Sequence, residues 1–346
     1  MRVLYFGMYD PLYARNRVLM SGLRQNGVEI IECQDNSPGI LKFIRLFRKH
    51  WQVRGDYDVM VVGFLGQIIV PFAWLITSKP IIFDAFISLY DSNVYDRKII
   101  IPGSFLAHYY WFLDWLSMRL ADSVLFDTNE HISYAAKEFR IKNDKFRRVF
   151  VGTDEKVFHP REGRNNSAFA VHFHGSFIPL QGIDCIIKAA KLLENDEIKF
   201  NILGDGQTYP EIKKLAGDLE IKNVNFINRV EYGKLPEYIN QGNICLGVFG
   251  QTAKTNRVIP NKVYEYAAMR KPIITADTPA IRELFNEGDM ILIQSNPENL
   301  ASAILKLKNN PGLRESLADN AYNKFKRFAT PEILGRELKQ IGEKLL

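Results

Sequence analysis

The feature that most constrains the fold is an alternation, made twice along the chain, of short β-rich apolar runs with stretches whose apolar residues recur at spacings of three and four. Val3–Phe6, Val59–Val62, Ile81–Phe83, Ser123–Phe126 and Arg148–Phe150 form the first series. A second series restarts at 170–173 and continues at 200–203, 225–227, 244–248, 272–275 and 291–293. Runs this short, separated by helical patterns such as 182–193, 209–215 and 235–241, predict parallel strands joined by crossover helices. Between the two series, Val151-Gly152-Thr153-Asp154 through His159-Pro160-Arg161-Glu162-Gly163 breaks the pattern with turn formers and charge, and the domain boundary is placed there. The expectation is an α/β chain of two Rossmann-like domains, 1–160 and 161–327, with parallel sheets facing across a cleft. A helical tail, 328–346, is free to cross back to the first domain. At 346 residues the chain is also longer than one core usually supports.

Composition narrows the partners. A formal charge of +6 favours acidic ligands, including nucleotide phosphates and anionic headgroups. Cys33, Cys185 and Cys245 lie far apart with no paired spacing, which argues against a disulfide framework or a zinc site and for a reducing, cytoplasmic home. The opening Met1–Gly7 runs directly into a strand-like stretch, so no signal peptide is expected. The longest apolar stretch, 63–77, is too short and too interrupted to span a bilayer.

In open parallel sheets, ligands bind beyond the carboxyl ends of the strands. That rule selects four segments of the second domain. His174-Gly175-Ser176-Phe177-Ile178-Pro179-Leu180-Gln181-Gly182 is a glycine-bounded loop before a helix, where backbone N–H groups could meet an anion; an ordinary βα turn has the same look. Gly204-Asp205-Gly206 allows close approach of a flat ligand but lacks the third glycine of a dinucleotide fingerprint, so no nicotinamide or flavin cofactor is expected. Asn228-Arg229-Val230 is placed to offer backbone groups to a base, or is a simple turn. Arg257-Val258-Ile259-Pro260-Asn261-Lys262-Val263-Tyr264-Glu265 carries the strongest signal: a helix N-terminus flanked by two cations suits a diphosphate, and Glu265 could accept from a ribose diol. In the bland alternative, Arg257 and Lys262 are solvated and Glu265 pairs with one of them.

This fourth segment resembles the glutamate-x7-glutamate region of the retaining GT-B glycosyltransferases of family 4, whose form is roughly Glu-Gly-Phe-Pro-Asn-x-x-x-Glu-Ala. The resemblance extends over nearly the whole chain, through the 174–182 loop, the Gly-Asp-Gly turn and Val151-Gly152-Thr153-Asp154, which is similar to the family's Asn-Gly-Val-Asp interdomain signature. It implies a GT-B fold, a nucleotide diphosphate sugar as donor, a glycan, lipid-linked or other hydroxyl acceptor, and no metal. It implies donor contacts at Gly175, Ser176, Gln181, Gly182, Gly204, Gly206, Arg229, Val230, Pro260, Asn261, Val263 and Glu265. The departures are as informative. Ser176 and Gln181 stand where the family has an arginine and a lysine on the diphosphate, and Arg257 replaces its first glutamate. Arg257 and Lys262 are therefore expected to supply the leaving-group stabilisation instead. A GT-B epimerase or hydrolase, or an inactive nucleotide-sugar-binding protein, would share these motifs.

In the first domain, the family's histidine after the third strand of this series is replaced by Asp84-Ala85-Phe86-Ile87-Ser88. Asp84 is the expected catalytic or orienting carboxylate, or else a turn cap, and Gly7 and Asp91 are expected on the acceptor side. Asp56-Tyr57-Asp58 precedes a strand and reads as a turn, not as a metal signature, and no metal or nucleic-acid partner is expected. Residues 40–54 interleave apolar and basic side chains, and 105–120 is aromatic. Both fit either an anionic membrane surface or a core-packed helix with a solvated edge.

Overall fold

The computed structural model describes residues 1–162 and 168–346. The chain divides into two compact units, Met1–Asp154 with Ala329–Leu346, and Glu155–Phe328. The break falls at Asp154/Glu155, earlier than the 160/161 boundary expected, and Gly163 lies outside the described residues.

The first unit holds β1 (Arg2–Gly7), β2 (Glu29–Gln34), β3 (Val59–Val62), β4 (Ile81–Phe86), β5 (Ser123–Phe126) and β6 (Phe146–Arg148). They form one parallel sheet in the order β2-β1-β3-β4-β5-β6, so the strand order reverses between β1 and β3. The last strand ends at Arg148, not Phe150, because the carbonyls of Val149 and Phe150 turn inward to the guanidinium of Arg15 at 2.6 and 2.8 Å. Alternate strand residues, among them Leu4, Phe6, Met60, Val62, Ile81, Phe83, Val124 and Phe126, share one core with the helices 41–53, 70–76, 105–120 and 129–139. The opposite face carries the helices Ala14–Gln25 and Pro331–Glu343.

The tail helix docks because glycine removes two side chains where the helices cross. A Cβ on Gly22 would strike the carbonyl oxygen of Pro331 and lie 2.9 Å from Gly335 Cα; a Cβ on Gly335 would strike the backbone of Gly22. Gly152, with φ +64°, meets the same segment: a Cβ there would overlap Ala329 O and lie 2.5 Å from Leu334 Cδ1. The glycine of the Gly152-Thr153-Asp154 signature therefore has a packing cause.

The second unit holds β7 (Phe169–His174), β8 (Ile198–Leu203), β9 (Val224–Ile227), β10 (Ile244–Leu246), β11 (Ile273–Ala276) and β12 (Ile291–Ile293). Its parallel order, β12-β11-β10-β7-β8-β9, reverses between β7 and β10. Both units are Rossmann-like, and each has a switch point at which ligands of such sheets bind.

Candidate active site

The strongest site lies at the carboxyl end of β7, beside β10. Pro260, with φ −64° and ψ 143°, is the extended residue before the helix Asn261–Ala268, a geometry proline's ring favours and the helix cannot extend through. Every residue from Lys262 to Ala268 is buried, so the helix is held on all sides and its first turn is fixed.

That turn sets the position of Lys262. Its ammonium reaches back to Gln181 Oε1 at 2.5 Å and Gly247 O at 3.5 Å, and lies 3.6 Å from the centre of the Phe173 ring. A Cβ on Gly175 would come within 3.0 Å of Lys262 Nζ, so the glycine keeps the approach to the ammonium open. Lys262 is not the solvated cation of the bland alternative, being only 4% exposed. Burial drives its pKa well below the ordinary lysine value, opposed by the charge of Glu265.

One turn on, Glu265 Oε2 accepts from His174 Nε2 at 2.8 Å. The carboxylate fixes the tautomer, leaving His174 Nδ1 as an acceptor that faces Tyr266 Oη at 3.1 Å and His172 Nε2 at 3.0 Å. Burial, with the nearby Lys262 charge, holds the pKa of His174 well below the ordinary histidine value; burial and then His174 do the same for His172. These histidines, together with Tyr266, brace Glu265 from behind. On the sequence, His172 and His174 alternate on a strand and read as packed or solvated side chains rather than ligands; both are packed, with their rings on one face of β7.

Gly175, Ser176, Gly204, Gly206, Arg229 and Val230 line an open cavity of about 410 Å³ at the ends of β7, β8 and β9. The glycine loop offers fewer N–H groups to an anion than expected. Gly175 N donates to Leu203 O at 3.0 Å and Phe177 N to Asp205 O at 2.9 Å. Gly204 and Gly206 serve the same crossing: a Cβ on Gly204 would strike Gly175 O, and one on Gly206 would lie 2.8 Å from Phe177 N.

Two donor positions are corrected. Gly182, with φ +63°, is walled in by the backbone of Phe249 and Gly250, so it permits loop packing and offers no ligand surface. Val263 is fully buried and its N–H donates to Pro260 O at 2.9 Å. Arg257 ends the short turn Thr255–Arg257 and is half-buried, and Asn261 opens the helix.

In the first unit the expected role of Asp84 is also corrected. It has no exposed surface, and its carboxylate is taken by Arg15, with Nη2 at 2.9 Å and Nε at 3.1 Å from Oδ1. Arg15 is equally buried and pins β4 to the exit from β6. Asp91 is buried at 1% exposure on a wide helical turn, Asp91–Asp96, and is not open to an acceptor. Gly7 lies at the end of β1, where a Cβ would touch Ile69 Cγ2 at 3.4 Å. Tyr57, in the Asp56-Tyr57-Asp58 turn, is buried between His50 and Thr77. Among the described residues no cluster of His, Cys, Asp or Glu could hold a metal ion.

Residues 154–324 match the family described as glycosyl transferases group 1. The match takes in nearly all of the second unit. It is 23% identical over 190 residues to an uncharacterized glycosyltransferase of Methanocaldococcus jannaschii, covering 52% of this chain and 49% of that protein. It is 24% identical over 163 residues to the alpha-D-kanosaminyltransferase of Streptomyces kanamyceticus, covering 44% of this chain and 39% of that one. The match thus spans about half of the first relative's length, or less. Among solved structures, Anabaena Alr3699/HepE in complex with UDP-glucose superposes with a TM-score of 0.74 over 99% of this chain and 100% of that one at 14% identity. Sucrose-phosphate synthase from Thermosynechococcus elongatus does so with a TM-score of 0.76 over 100% and 99% at 12% identity. These likenesses show the fold: GT-B.

Proposed function

We propose that the chain is a retaining glycosyltransferase that moves a sugar from a nucleotide diphosphate sugar to a hydroxyl of a glycan or lipid-linked acceptor. The observation that carries this reading is the buried amino group of Lys262, aimed past Gly175 from the first turn of a fixed helix, with Glu265 one turn on. The base occupies the cavity over Gly204, Gly206, Arg229 and Val230, the ribose diol meets Glu265, and the diphosphate displaces Gln181 as the partner of Lys262, with Arg257 as a second cation. A desolvated ammonium gains more from an arriving anion than a solvated one would. As the bond from the anomeric carbon to the diphosphate oxygen breaks and the bond to the acceptor oxygen forms on the same face, the acceptor proton passes to the leaving diphosphate. Lys262 and Arg257 stabilise the charge that grows there, the role a divalent cation would otherwise fill. HepE, of the same fold, is recorded with UDP-glucose, which supports a donor of this class. The acceptor is assigned to the first unit, and the chain to polysaccharide assembly as a peripheral protein on the cytoplasmic face of a membrane.

The test is Lys262→Ala against a panel of nucleoside, nucleoside diphosphate and nucleotide diphosphate sugar. Loss of one such donor typically lowers kcat about 100 to 1000-fold. Affinity for the nucleoside should hold while turnover falls. Moving the charge in Gln181→Lys, Lys262→Gln should restore part of the rate, because Nζ and Oε1 of the two residues already meet. Unchanged turnover in Lys262→Ala would reject the assignment.

A further inference from the structure

The helices Leu41–Val53, Val70–Ile76 and Phe105–Leu120 lie side by side on one face of the first unit's sheet. Phe43 of the first and Phe72 of the second are in ring contact at 5.2 Å, and the second packs directly on the third. The opposite face is closed by the tail helix, since a Cβ on Gly342 would lie 3.9 Å from Ile82 Cδ1. Nothing of this chain closes the outer side of the three-helix layer among the described residues. There Ile44, Phe47 and Trp51 project from the first helix, Trp74 and Leu75 from the second, and Phe105 and Phe112 from the third. The loop before the third helix exposes Ile101 at 77% and leads into Phe105 at 88%. Side chains of this size and number are not scattered surface residues, because they share one layer.

Charge selects what covers this layer. Segments 41–54, 70–79 and 97–112 contain no aspartate or glutamate, yet they carry Lys42, Arg45, Arg48, Arg54, Lys79, Arg97 and Lys98, besides Lys49, which is paired with Asp35. Arg54 lies 3.7 Å from the Trp51 ring centre, the pairing of an amphipathic indole with a headgroup-level cation. Leu46 and His50 face the core, so the inner side of the first helix is core-packed while Ile44, Phe47 and Trp51 leave its outer side apolar and exposed. We propose that this three-helix layer is a docking face for an anionic bilayer, with Ile101 and Phe105 inserted at the acyl boundary and the cations at the headgroups. The proposal sharpens the peripheral-membrane part of the functional reading and does not depend on the donor assignment.

The experiment is sedimentation of the full chain with phosphatidylcholine vesicles, with and without phosphatidylglycerol, across a salt series. Wild type should bind only the anionic vesicles, and less as salt rises. Each cation near the surface contributes about fivefold in affinity, so Arg45→Glu, Arg48→Glu should weaken binding at least about 25-fold. Ile101→Ser, Phe105→Ser should weaken it at every salt concentration. The circular-dichroism spectrum and thermal midpoint, measured alongside, should be unchanged in both variants and certify folding, with UDP binding followed in parallel. A variant that keeps vesicle binding at the wild-type level overturns the proposal, as does a wild type that stays in the supernatant. A wild-type dimer in analytical ultracentrifugation that both variants convert to monomer also overturns it, by showing that a second copy covers the face. Vesicle binding without UDP binding would leave this proposal standing and remove the donor reading.

Discussion

Asp84→Ala separates two roles that the sequence leaves open for the carboxylate at the end of β4. The native pair has no exposed side-chain surface on either partner. Removing Asp84 leaves Arg15 buried, with its Nη1 still bonded to Val149 O and Phe150 O but its Nε and Nη2 deprived of their acceptor. Breaking a buried pair from one side costs about 3 to 5 kcal/mol. That is a large share of the roughly 5 to 15 kcal/mol that stabilises a domain. At about 2 to 4 °C per kcal/mol for a unit of this size, the melting midpoint should fall by roughly 6 to 20 °C. Replacing both partners with apolar residues, Arg15→Met with Asp84→Leu, should recover much of the loss, because no charge is then left uncompensated. The assay pairs thermal unfolding by circular dichroism with sugar-transfer rates measured well below the transition and normalised to folded protein. The expected result is a large fall in midpoint with a near-normal rate per folded molecule. An unchanged midpoint with a strongly reduced rate would refute the reasoning and return Asp84 to the reacting groups.

Further outcomes follow from the second unit and the tail. Glu265→Ala should weaken binding of the nucleotide by about 1.5 to 3 kcal/mol, the cost of losing a charged hydrogen-bond partner, measured by calorimetry on folded protein; equal affinity would remove Glu265 from the ribose. His172 and His174 have depressed pKa values in the folded state, so below about 6.5 the unfolded chain binds more protons than the folded one. Stability should therefore fall as pH is lowered from 7 toward 5, by up to about 1.4 kcal/mol per pH unit for each histidine, followed through urea midpoints. A His172→Gln, His174→Gln variant with the same slope would show that other groups set the dependence. Gly22→Val should release the tail helix at a cost of about 1 to 3 kcal/mol, seen as early proteolysis near Ala329; intact protection would mean that the crossing admits the added side chain without releasing the tail.

The sequence by itself determined the layered architecture. Hydrophobic periodicity follows from backbone geometry alone, so eleven of the twelve strands among the described residues were legible to within a few residues at the ends, with β2 missed, and the helices at 182–193, 209–215, 235–241 and the tail were legible too. It also placed most of the expected donor residues at strand ends, because ligands of parallel sheets gather there whatever the side chains. What it left open depended on where side chains point after the elements pack. Lys262 read either as a cation for the diphosphate or as a solvated one, because helix position says nothing of burial, and only packing drives its amino group against Phe173 and onto Gln181, a residue 81 positions away. Asp84 read as an orienting carboxylate or a turn cap because its partner, Arg15, is 69 residues earlier and is brought to it by the docking of the first helix on the sheet. Glycine signalled close approach correctly at 182, 204 and 206, but the approaching atoms proved to be the protein's own backbone. Local periodicity is written into neighbouring residues, whereas burial and pairing of charge are set by contacts between distant ones, and those exist only in the folded chain.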